Sequence, residues 1–68
     1  MLTYKIDVLA ALKENGFSSY RLIKEKLIGH VAIQNLRENK MIGIKELNKI
    51  CKLLDCQPGD IIAYEKED

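Results

Sequence analysis

Nowhere does the chain run apolar for anything near the ~18 residues that a membrane-spanning helix requires, so no transmembrane segment is expected. The opening residues MLTYKIDVLA lack the basic region, apolar stretch and small-residue cleavage site of a secretory leader, which predicts a cytoplasmic protein. Cysteine is scarce too. Cys51 and Cys56 are too few for the disulfide framework of a small secreted domain, and both are read as buried thiols in a reducing compartment. Their spacing does not match zinc-ligand spacing, and five helical steps turn the two side chains apart, so no metal is expected. With one histidine, no Ser, His and Asp set, no paired-carboxylate cleft and no glycine-rich phosphate loop, the sequence argues against an enzyme. A body this small offers little pocket, and neither a cofactor nor a small-molecule ligand is expected.

What is present is an ordinary globular composition: 68 residues, 47 % hydrophobic and 31 % charged, with one proline and four glycines. That length predicts one domain, residues 1–68, which buries only roughly 60 % of the surface that the unfolded chain exposes. The formal net charge of +1 conceals a polarity. Residues 1–52 carry ten Lys and Arg against five Asp and Glu, a net of +5, and residues 53–68 carry one against five, a net of −4. A basic body with an acidic tail suits a domain that turns one face to a polyanion. A tail that serves only solubility accounts equally well for the acidic end.

Apolar residues recur at helical spacing in five places. Val8, Leu9 and Leu12 predict a helix over 6–15, stopped by Asn15-Gly16, with Phe17 plugging the core at the turn. Ser18 starts a second helix over 19–26, whose inner face is Leu22 and Ile23. Gly29 opens a third over 30–38, which buries Ala32, Ile33 and Leu36 and exposes His30, Val31, Gln34, Asn35 and Arg37. Gly43 introduces a fourth over 44–54, and Pro58, preceded by Gln57, suits the first position of a last helix over 58–62. At the two ends, Leu2-Thr3-Tyr4 and Ile62-Ala63-Tyr64 alternate enough to pair as short strands. The predicted fold class is thus all-α, a compact five-helix body with short terminal strands as an addition.

The second and third helices carry the functional signal. Two short helices joined by the tight turn Lys26-Leu27-Ile28-Gly29, sharing an apolar seam of Leu22, Ile23, Ile28, Ile33 and Leu36, form the pair that major-groove reading of DNA needs. Asn35 and Gln34 have the amides that pair with adenine, His30 can donate to a base or a phosphate, and Val31 suits a thymine methyl. Arg21, Arg37 and Lys40 are candidates for phosphate contact. Each has a plainer explanation as a solvated surface side chain.

The run SSYRLIKEKLIGHVAIQNLRENK, followed by GIKELNKICKLLDCQPGDIIAYEKED, resembles the small Cro and CI type, lambda-repressor-like helix-turn-helix regulators of bacteria and phages. The likeness covers nearly the whole chain. It implies the five-helix fold, contact of the third helix with double-stranded DNA, and frequent dimerisation. By position, His30, Val31, Gln34 and Asn35 match the base-facing places of that family, Ser18 and Ser19 its phosphate contacts at the start of the second helix, and Lys40 a backbone contact in the following loop. One departure stands out: many relatives have glycine in the turn where this chain has Leu27, which cannot adopt a positive φ cheaply and so predicts a different turn type. A homodimer reading two half-sites about one helical turn apart is expected, with Leu2, Ile62, Tyr64 or the Met41 to Ile44 stretch as its surface. The near-neutral net charge supports a second reading, a protein-interaction module on the same fold, such as an antirepressor or antitoxin.

Overall fold

The computed structural model describes residues 1–66. In chain order the elements are β1 (Leu2–Tyr4), α1 (Val8–Glu14), α2 (Ser19–Lys24), α3 (His30–Arg37), α4 (Ile44–Leu54), α5 (Pro58–Ile61) and β2 (Ile62–Tyr64). The five helices and the strands at both ends correspond to the expected class. Several boundaries differ, each for a local reason. Helix α1 begins at Val8 and not at residue 6, because the Asp7 carboxylate accepts the Ala10 amide at 3.1 Å and caps the helix there. Helix α5 yields Ile62 to the strand that follows.

The strands pair antiparallel, with Leu2 opposite Tyr64, Thr3 opposite Ala63 and Tyr4 opposite Ile62. The Glu65 amide donates to the Met1 carbonyl at 2.8 Å, and the Lys5 amide to the Ile61 carbonyl at 2.7 Å, which extends the pairing at both ends. The acidic tail, as far as it is described, therefore runs beside β1.

The core is wholly aliphatic: Val8, Leu12, Leu22, Ile28, Ala32, Ile33, Ile42, Leu47, Ile50 and Ile61. Every helix supplies at least one of these residues, so no helix is bound by its own propensity alone; elements of 4 to 11 residues are too short to persist in water without such packing. Helix α1 packs on both α3 and α4, which holds α3 by its inner face.

Helices α1 to α4 all end in the same way, and that explains the turn at Leu27. At each end the chain enters the left-handed region, at Gly16 (φ 88°), Lys26 (φ 54°), Asn39 (φ 59°) and Asp55 (φ 52°). The amide after it then reaches back to a carbonyl five residues earlier: Phe17 to Leu12, Leu27 to Leu22, Lys40 to Asn35, and Cys56 to Cys51. So Leu27 is spared: Lys26, one residue earlier, carries the positive φ, and Leu27 packs against the core. Asn and Asp tolerate the left-handed region better than lysine, whose Cβ crowds the following carbonyl at a cost of roughly 1–2 kcal/mol. Lys26→Gly is expected to stabilise the fold by roughly 1 kcal/mol after glycine's extra chain entropy is deducted, raising Tm by about 4–8 °C in a domain of this size. A thermal melt that is unchanged or lowered would contradict this assignment.

Candidate nucleic-acid interface

Helix α3 is the element on which the expected site residues converge. At ~100° per residue, Ala32, Ile33 and Leu36 fall on one side, and Arg37, His30, Gln34, Glu38, Val31 and Asn35 fan across the other half of the circumference. Burial follows that division: Ala32 and Ile33 are buried and Leu36 half-buried against the core, while His30, Val31, Gln34 and Arg37 are exposed. Val31 is 75 % exposed. Asn35 is only half-buried rather than fully exposed. Its position explains this, because it lines a groove of about 280 Å³ between the starts of α3 and α4, together with His30, Val31, Ile42, Gly43 and Glu46. Glu46 Oε2 is buried without a hydrogen-bond partner among the described residues, while its other oxygen pairs with Lys49 at 3.3 Å.

The remaining expected residues are distributed unevenly around this face. Ser18 caps α2: its Oγ accepts the Arg21 amide at 3.2 Å, which leaves its hydroxyl hydrogen available as a donor. Ser19 and Arg37 line a separate groove at the opposite end of α3, beside Asp7, Lys13 and Asn39. Arg21 belongs to neither groove. Its guanidinium donates to the Glu25 carboxylate at 2.5 Å and to the Gly16 carbonyl at 2.9 Å, and it lies 5.0 Å above the Phe17 ring. Those contacts close the α1–α2 turn, and they compete with any contact that Arg21 makes to a phosphate. No acidic residue occupies the first turn of α2 or α3.

Three features of the face were not anticipated from the sequence. Glu38 sits on the same side of α3, accepts from the Gln34 amide at 2.6 Å and pairs with Lys40 at 3.3 Å, so a carboxylate bridges two of the expected DNA contacts. The i to i+4 spacing of Gln34 and Glu38 was the available signal. Exposed Tyr20 carries Lys24 5.6 Å from its ring, adding an aromatic and a cation to the outer side of α2. Tyr4, far away in sequence, fixes the loop after α3. Its hydroxyl donates to the Lys40 carbonyl at 2.7 Å and accepts the Ile42 amide at 3.1 Å.

Burial raises the Tyr4 phenol above its ordinary value, an effect partly offset by the Ile42 amide that donates to it. The folded chain therefore holds this proton to a higher pH than the unfolded chain, whose phenol ionises near ~10. The stability gained is complete below that pH and drains away as pH climbs through the folded value. Tyr4→Phe is expected to cost about 1–2 kcal/mol for the two lost hydrogen bonds. It should also remove this part of the alkaline decline, which denaturant melts between neutral and strongly alkaline pH would measure.

This arrangement of capped α2, left-handed turn and outward-facing α3 is accompanied by direct kinship. A family description, the Cro/C1-type HTH DNA-binding domain, matches residues 5–67. The chain belongs to that family. A relative, the uncharacterized HTH-type transcriptional regulator YozG of Bacillus subtilis (strain 168), is 30 % identical over 63 residues, covering 93 % of this chain and 75 % of its own. No solved structure matches. No helix among the described residues of this Cro/C1-type domain is long and apolar enough to cross a membrane.

Proposed function

We propose that the protein is a sequence-specific DNA-binding transcriptional regulator that lays α3 in the major groove and performs no catalysis. The observation that carries this reading is the outer half of α3, where His30, Val31, Gln34 and Asn35 present donors, acceptors and a methyl surface on one short helix. Lys40 and Arg37 flank it, supplying the phosphate attraction that dominates affinity. Ser18 and Ser19 at the start of α2 add a weaker backbone contact. The description of YozG as a transcriptional regulator agrees with this reading. It puts the chain in the cytoplasm, alongside the duplex.

A single module of this size makes few contacts, so the reading includes a homodimer on two half-sites about one helical turn apart. Exposed Leu2, Tyr64 and Ile44 are the apolar candidates for its surface, whereas Ile62 packs against the core and Met41 is half-buried. Sedimentation alone and with operator duplex tests this; a monomer under both conditions would remove the dimer from the proposal.

The deciding experiment for DNA binding is anisotropy on random duplex across a salt series. About four phosphate contacts give a log–log slope of roughly −3 to −4. Lys40→Ala should weaken every sequence alike and flatten that slope by about 1. Absence of binding at low salt would favour the protein-interaction reading, an antirepressor or antitoxin, which the carboxylate of Glu38 within the face would suit.

A further inference from the structure

Cys51 and Cys56 do not point apart, as a helical wheel extended through both would have it. Helix α4 ends at Leu54, Asp55 turns the chain back at φ 52°, and the Cys56 amide donates to the Cys51 carbonyl at 3.0 Å. In this kind of helix ending, the side chains of the two residues joined by that hydrogen bond meet across the turn. The equivalent positions at the ends of α1 and α2 are Leu12 with Phe17 and Leu22 with Leu27, all packed in or against the core. At α4 both positions are cysteine.

Neither thiol is sealed in, contrary to the sequence expectation. Both are half-buried, and both line an apolar groove of about 480 Å³ between α4 and α5 that also includes Ile44, Leu47 and Pro58. Small reagents can therefore reach them. Burial raises the Cys56 thiol, and neighbouring Cys51 pushes it the same way ahead of Asp60. Among the described residues no third His, Cys, Asp or Glu completes a metal-holding group, which leaves dithiol chemistry.

We infer that Cys51 and Cys56 form a dithiol modification site that closes reversibly into an intramolecular disulfide by exchange with a low-molecular-weight disulfide. The backbone hydrogen bond across the turn sets the two residues side by side, and closing the S–S bond requires their Cβ atoms to come within about 3.5–4.5 Å of each other. One thiol loses its proton to solvent and attacks the small disulfide, forming a mixed disulfide and expelling a thiolate that is then protonated. The second thiol, deprotonated in turn, attacks the first cysteine's sulfur and expels the other half. The protein gives up two electrons and two protons, and the small disulfide becomes two thiols. The new bond ties the last turn of α4 to the start of α5, on an element other than α3.

Incubating the intact chain with excess glutathione disulfide, followed by mass spectrometry under non-denaturing and then denaturing conditions, tests this without any substitution. The expected product has lost two hydrogens, carries no glutathione, contains no free thiol and is restored by dithiothreitol. Cys51→Ser and Cys56→Ser should each stop at a single glutathione adduct. Persistent adducts on the unaltered chain, disulfide-linked dimers, or two thiols still free after prolonged excess would each overturn the inference.

Discussion

Truncating Ile33 to alanine is expected to remove about half of the fold's stability. Ile33 is 1 % exposed and anchors the inner face of α3 to the core. Removing its outer carbons creates a cavity in a close-packed interior, which costs roughly 2–5 kcal/mol. At about 0.05–0.15 kcal/mol per residue, a domain of this length holds only roughly 3–10 kcal/mol in total. Tm should fall by roughly 10–40 °C, and duplex binding should be lost together with far-ultraviolet helicity. Two residues earlier, Val31→Ala should move stability by no more than about 0.5 kcal/mol, because that side chain already stands in solvent. Equal melts for the two variants would mean that α3 does not face the core as described.

Asn35→Ala is expected to act on recognition instead. The Asn35 carbonyl accepts the Lys40 amide at 2.7 Å, but that bond belongs to the backbone and survives truncation. The amide side chain itself lines the groove between α3 and α4 and is half-buried there. A bidentate contact from that amide to a base is worth about 1–3 kcal/mol against the wrong base, or roughly 5- to 150-fold in affinity. Competition between a selected site and random duplex measures it. The selected site should weaken by that factor and the random duplex hardly at all; matching losses on both would show that Asn35 does not read bases.

The helices were legible in the sequence because apolar residues at three- and four-residue spacing leave few other ways to bury them, and Gly29, Gly43 and Pro58 mark where helices begin. The inner and outer faces of α3 followed from the same periodicity. The chain reversals were harder to read. Lys26 and Asp55 adopt left-handed backbone without the glycine that usually announces it, so the sequence does not show that Lys26 takes the positive φ that Leu27 avoids, nor that the chain turns Cys56 back to Cys51. A helical wheel carries no information past the last helical residue. Short-range pairs such as Gln34 with Glu38 and Arg21 with Glu25 were available from spacing alone. The bonds from Tyr4 to Lys40 and Ile42 were not, because nothing local ties residues 38 apart or nearly so.

The pairing of Leu2 with Tyr64 spans almost the entire chain. Bringing ends so distant together is entropically expensive for a disordered polymer and becomes cheaper once intervening segments have already shortened into helices. The terminal ribbon is therefore a late arrival on the folding route and the first part to unzip when the molecule opens, which makes the rate of unfolding, more than the rate of folding, sensitive to changes at residues 2–4.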